Sequence, residues 1–298
     1  NQKTAVKWWR LAAKQGHARA QKSLAKLEKL IASKKTSPTV TSQKSSPKYA
    51  GNFKKGLDAA KRGDFRTALQ EWKPLAEEGN VRAQYNLGTM YRRGDGVPKN
   101  YETAVKLYTL AAEQGYAAAQ TYLGLMYANG EHVPQDHKIA VKWLKLAAKQ
   151  GDAKAQYNLG VSYDNGTGIA QDYKSAVKWY TRSAEQRFAD AQFNLGRMHE
   201  KGKGVPQDPN TAIKWYTLAA KQGHVRAQND LGTLYLKGKG VPQDPKTAIK
   251  WYTTAAKKGH ATAQINLGLI YQRGEDVRQD YETAIKWYKL AAMRGLVP

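Results

Sequence analysis

Apolar and polar positions repeat along most of the chain with a period of 36 residues, and within each period they follow a helical spacing. In the stretch from Ala83 to Tyr91, the positions Ala83, Leu87 and Tyr91 fall every fourth residue and share one face of a predicted helix. A second predicted helix follows in the same period. In the unit that contains Ala212 to Ala220, its buried stripe is Ala212, Trp215, Ala219 and Ala220, with the Trp filling the space between units. Glycine returns at Gly88, Gly124, Gly160, Gly196, Gly232 and Gly268, each preceded by a leucine. An Ala-Gln pair returns from Ala83-Gln84 to Ala263-Gln264. Six such units fill 80–295 without an insertion.

The punctuation between the helices follows the same register. Gly202 suits the left-handed residue that ends a helix. Asp208 suits the N-cap of the next helix, with Pro209 at its first position, and every unit has Asp or Asn there, from Asn100 to Asp280. Gly223 closes the second helix. Arg187 stands at that position in the third unit, which predicts a slightly strained turn. A glycine inside a helix costs about 1 kcal/mol relative to alanine. Its return in every unit, at Gly88 and its equivalents, predicts a close approach of the partner helix backbone. A hairpin this small cannot bury its own apolar face, so the units must stack into a curved one-dimensional array.

The ends depart from the repeat. Residues 49–79 read as a capping hairpin, with helices over 49–62 and 64–78 and with Ala68, Trp72 and Ala76 in the stripe of the second helix. Residues 1–31 read as a fragment of an upstream array: Thr4 to Trp9 match a second helix, and Ala20-Gln21 with Leu24 match a first helix. Residues 32–48 hold Ser, Thr, Lys and Pro but no acid, which reads as a flexible basic linker. Leu296-Val297-Pro298 reads either as the repeat continuing or as the remnant of a protease-site tag.

Composition narrows the function. With no Cys, disulfides, thiolate nucleophiles and cysteine-ligated zinc are excluded. No apolar run reaches the roughly 20 residues of a membrane-spanning helix. A formal charge of +25 attracts polyanions, or else belongs to a solvated lysine-rich surface. Ser-x-x-Lys at Ser175/Lys178 has the spacing of a penicillin-reactive serine. Its repeat equivalents Thr103, Thr211, Thr247 and Thr283 mark it instead as a scaffold position near an N-cap. His224 and His260 recur at one turn position. Glu131, His132 and His137 share a loop, where two His five apart in irregular chain make only a weak metal signal. Gly238-Lys239-Gly240 lacks the other parts of a phosphate loop. No catalytic residue, metal or cofactor is expected.

The motif Ala-Gln-x-x-Leu-Gly-x-x-Tyr, followed by Gly-x-Gly-Val-Pro-x-Asp, resembles the Sel-one-like repeat family, a relative of the tetratricopeptide repeats. The resemblance covers residues 64–295 almost continuously, plus a fragment at the start. It implies an all-α fold, a right-handed α/α superhelical solenoid of helix-turn-helix repeats. It also implies an adaptor or scaffold, most often bacterial, with a periplasmic or secreted location favoured.

By the same resemblance the first helices line the concave side, and the residues on their non-packing face form the groove. One ladder there is Asn86, Tyr122, Asn158, Asn194, Asp230 and Asn266. In the related tetratricopeptide family an Asn at this place holds bound peptide, which suits an amide that both donates and accepts. The alternative is an Asn bonding locally within the array. Beside the ladder lie Tyr85, Tyr157 and Phe193; around it lie Arg82, Arg93, Lys201, Lys237 and Arg273, with Lys154 and Arg226 earlier in the helices. Asn and basic residues together favour an acidic or carboxylate-ended protein or peptide partner.

A second ladder, Lys106, Lys142, Lys178, Lys214, Lys250 and Lys286, falls on the second helices and should face outward. It supports an alternative reading, a binder of nucleic acid or anionic glycolipid. A further alternative is head-to-tail self-association through residues 1–31.

Overall fold

The computed structural model describes residues 51–275 and 277–293, so the readings made for 1–31, 32–48 and 296–298 lie outside the described residues. Among those residues there are 14 α-helices and no strand. Helices α1 (Phe53–Lys61) and α2 (Phe65–Glu77) form the first hairpin. Six further hairpins follow: α3 (Val81–Arg93) with α4 (Tyr101–Glu113), α5 (Ala117–Asn129) with α6 (His137–Lys149), and α7 (Ala153–Asn165) with α8 (Tyr173–Glu185). Then come α9 (Ala189–Lys201) with α10 (Pro209–Lys221), α11 (Val225–Lys237) with α12 (Pro245–Lys257), and α13 (Ala261–Arg273) with α14 (Tyr281–Ala292). Each helix packs on the one before and the one after it, which makes the chain an all-α repeat solenoid. First helices also touch across units, as α5 does α7.

The helix ends show why the repeat is so regular. Asp208 Oδ1 accepts from the Thr211 amide at 3.1 Å and Oδ2 from the Thr211 hydroxyl at 2.6 Å. These bonds hold the Asp208 carboxyl below the usual carboxylate range. Ser175 makes the same hydroxyl bond to Asp172 at 2.6 Å, so it is a cap residue. Gly202 ends α9 at φ 66°. Arg187 takes the same left-handed region at φ 64°, the strained turn expected from its replacing glycine. His224 and His260 do more than turn the chain: they are N-caps, with Nδ1 accepting from the amides of Ala227 at 3.1 Å and Ala263 at 3.3 Å.

The core corrects one reading. Trp215 is only half-buried, and the stripe is filled by its neighbour Tyr216, which is fully buried, as are Tyr108 and Tyr180. Trp215 does bridge units, packing back on the cluster of Ala176, Tyr180, Leu195 and Met198. The recurring glycine explains the difference. A Cβ on Gly196 would lie 2.7 Å from the Tyr216 ring, and 3.2 Å from the Ala212 carbonyl oxygen. The glycine therefore opens a slot mainly for an aromatic ring, with the backbone approach secondary.

The Ala-Gln pair has a structural role as well. Gln84, 3% exposed, donates to the Ala76 carbonyl of the preceding hairpin at 3.2 Å and accepts from Gln114 at 2.8 Å. One amide thus ties three helices together. Gln120 with Gln150, Gln156 with Gln186 and Gln192 with Gln222 repeat the pair. Lys258 occupies the donor's place in the next unit, and the buried Gln228 Oε1 has no hydrogen-bond partner among the described residues. Lys258 bonds the Gly223 carbonyl instead, at 3.1 Å. In the earlier unit Gln186 reaches the matching Gly151 carbonyl and the buried Gln156 Oε1 together. Lys258→Gln is therefore expected to stabilise the array by about 1 kcal/mol, read as a higher urea midpoint. A midpoint that stays or falls would reject this account.

Candidate functional site

The surface singled out by sequence is made of first helices lying side by side. Cross-unit contacts define it. Asn266 donates to Asn229 Oδ1 at 3.3 Å, His224 Nε2 lies 3.3 Å from Asp190 Oδ1, and the Tyr85 and Tyr122 rings meet edge-on at 6.0 Å. Asn86, Tyr122, Asn158, Asn194, Asp230 and Asn266 are all half-buried, as are Tyr85 and Tyr157. Arg82, Arg93, Lys201, Lys237 and Arg273 are exposed. Phe193 is buried. Ladder residues bond within the array: Asn158 donates to the Lys154 carbonyl at 2.7 Å, Asn266 donates to Asn229, and Asp230 accepts from the Asn229 amide at 3.0 Å.

The sequence-selected residues converge in two places. The first is a cleft of about 310 Å3 lined by Tyr157, Asp190, Phe193, Asn194, His224, Val225 and Arg226. Three units build it: Tyr157 comes from α7, the next three residues from α9, and the rest from the start of α11. His224 is held on three sides. Its Nδ1 caps α11, its Nε2 faces Asp190, and its ring stacks on Phe193 at 4.5 Å. Burial lowers the His224 pKa, against the opposing pull of Asp190. At neutral pH the ring is therefore a neutral wall. Arg226 is exposed at the rim. The second place, of about 320 Å3, brings Lys237, Asn266 and Arg273 together over an apolar floor of Leu236, Leu269 and Ile270.

A separate aromatic cluster lies at α3 to α5. Tyr85 packs near Tyr108, Tyr116 and Tyr122, with ring centroids 5.2 to 6.0 Å apart. Burial pushes the Tyr85 hydroxyl up to about 12, so it stays neutral at neutral pH.

Sequence reasoning missed several groups. Asp190 sits where other units carry Arg82, Lys154 and Arg226, so a reversal of sign at one repeat position was the available signal. Glu200 accepts from the buried Tyr216 hydroxyl at 2.8 Å. The Asp230 carboxyl is raised by burial, with Glu200 adding to the effect. Arg92, unlike its neighbour Arg93, turns in toward Tyr122.

On the second helices, Lys106, Lys142, Lys178, Lys214, Lys250 and Lys286 are all exposed. Lys106 pairs with Glu102 at 2.7 Å. His132 stacks on Tyr101. Among the described residues no group of three or more His, Cys, Asp or Glu is placed to hold a metal ion, and no helix is long and apolar enough to cross a membrane.

The family model of the Sel1 repeat matches residues 1–17, 81–116, 117–152, 153–188, 189–224, 225–260 and 261–296. The chain is similar to the solved structure of c5321, a protective antigen present in uropathogenic Escherichia coli strains that displays an SLR fold. The two are 39% identical with a TM-score of 0.74, over 76% of this chain and 49% of that one. This chain thus spans about half the length of that antigen. It is also similar to a Sel1 repeat protein from Oxalobacter formigenes, at 35% identity and a TM-score of 0.73, over 82% of this chain and 97% of the other. No curated protein matched the chain.

Proposed function

Starting from the chain's membership of the Sel1 repeat family, we propose that it is a non-catalytic scaffold that binds a protein or peptide across its first helices, with the cleft between α7, α9 and α11 as the principal seat. Sel1 repeat proteins generally act as protein-interaction scaffolds. The observation that carries the finer reading is the cleft itself. Tyr157 and Phe193 give it aromatic walls, while Asn194, Asp190 and Arg226 supply directional polar groups at its edge. Large rings beside a few fixed polar groups are what a binding hot spot requires. His224 supports the seat, because its capping bond and its stack on Phe193 fix the wall before any partner arrives.

A second reading has its own observation. The six second-helix lysines are exposed in a row, and of these only Lys106 has a carboxylate within salt-bridge distance among the described residues. That row suits a polyanion.

One experiment separates the two readings. The array is immobilised, offered lysate with and without nuclease, and eluted across a salt gradient; Arg226→Ala is run in parallel. A single protein that survives nuclease, and that Arg226→Ala weakens about tenfold, is the expected result. Capture that vanishes with nuclease, or a steep loss of affinity with salt that ignores Arg226→Ala, would replace the scaffold with the polyanion reading.

A further inference from the structure

We propose that Tyr122, flanked by Arg92 and Lys154, is an anion-reading subsite that takes an acidic side chain of a bound peptide. The proposal rests on the scaffold reading and names the chemistry of one part of its partner. Three consecutive units contribute. Arg92 lies in the last turn of α3, Tyr122 in the middle of α5, and Lys154 in the first turn of α7. The Arg92 Cζ is 5.4 Å and the Lys154 Nζ 5.5 Å from the centroid of the Tyr122 ring.

Both cations are held against one neutral ring, whose quadrupole attracts a cation but does not neutralise its charge. Neither cation has a carboxylate within 4.0 Å among the described residues, where the lysine and arginine ion pairs are Lys55 with Glu71 and Lys106 with Glu102. The Arg92 Nε is buried without a hydrogen-bond partner there. An arriving carboxylate would neutralise this charge and accept charge-assisted hydrogen bonds from the two side chains.

The subsite occurs once in the array. The five equivalents of Tyr122 are Asn86, Asn158, Asn194, Asp230 and Asn266, none of which offers a ring to cations. Tyr122 also stacks on the buried Tyr108 at 5.6 Å and 16°, which fixes its plane. A feature present once in a repetitive surface gives a peptide its register, because sliding by one unit would lose the contact. The acidic residue would thus be held near the α3 to α7 end, with the rest of the segment running toward the cleft at Tyr157 and Asn194.

The test uses a short Glu-Ser repeat peptide with blocked ends and its Gln-Ser counterpart, titrated calorimetrically into the whole chain at physiological ionic strength. The Glu-Ser peptide is expected to bind and the Gln-Ser peptide not. Lys154→Gln and Arg92→Gln should each weaken binding about fivefold or more, the scale of one partly exposed charged contact. The outer-face pair Lys142→Gln with Lys178→Gln should leave it unchanged. No binding of the Glu-Ser peptide would overturn the subsite, and so would equal weakening by the outer-face pair. If Arg92→Gln unfolds the chain, the exposed Lys154 variant decides alone. A protein captured from lysate whose retention ignores Lys154→Gln would overturn the subsite and leave the scaffold reading standing.

Discussion

Tyr216→Ala is expected to cost about 3–5 kcal/mol, the scale for removing a large buried aromatic from a packed core. Tyr216 is fully buried, its ring fills the slot opposite Gly196, and its hydroxyl donates to Glu200 at 2.8 Å. The helices cannot readily close into the gap, because α10 is held at its start by the Asp208 cap and the two helices of the hairpin are tied by the Gln192–Gln222 bond. Tyr216→Leu should cost less, since Leu144 fills the same slot opposite Gly124 in another unit. Tyr216→Phe should cost about 1 kcal/mol, the net worth of the hydrogen bond. The loss should also be local. Stability in a stacked array is a sum over units and their interfaces. Hydrogen exchange is therefore expected to quicken in α9 to α11 well before α3 to α6. Uniform exchange along the array, or a loss below 1 kcal/mol by urea titration, would contradict this picture of the core.

Gly204→Ala should rank next, at about 2–5 kcal/mol, from a left-handed penalty added to a steric one. Gly204 sits at φ 71°, and a Cβ there would come within 2.5 Å of the Tyr173 carbonyl carbon at the start of α8. That neighbour is backbone, so it cannot rotate away as a flexible side chain would. The loop glycine of one unit is thus pressed against the second helix of the unit before it. Gly168 and Gly240 make the same approach, to His137 and Pro209. In the second unit His132 holds this place at φ 61° and turns its ring onto Tyr101. Urea titration of Gly204→Ala beside Gly202→Ala, whose Cβ would meet only Gln207 at 3.2 Å, separates the two costs. Equal losses in both would mean that backbone conformation alone sets the penalty.

The sequence made the helices and their ends legible because both are local. A period of four on Ala83, Leu87 and Tyr91, Asp or Asn at each N-cap, and glycine at each left-handed turn need only near neighbours to act. Even the strain at Arg187 could be read from a single substituted letter. The choice between Trp215 and Tyr216 was not legible. Both are aromatic and adjacent, and helical periodicity does not separate neighbours that each touch the core. The location of Gly196 on the facing helix decides which ring enters the slot.

The candidate site divides in the same way. The repeat register placed Asn194, Tyr157 and Tyr122 on the first helices. It could not show that Tyr157, Asp190 and Arg226 meet around one cleft, or that Arg92 and Lys154 meet over one ring. Each of those sets draws on three successive units, so side chains thirty or more residues apart become neighbours only after the hairpins stack. The sequence by itself therefore determined the repeat, its helices and its caps, since these follow from interactions within a few residues. The tertiary structure decided which ring fills the core and which charges share a surface, since those depend on how one unit packs against the next.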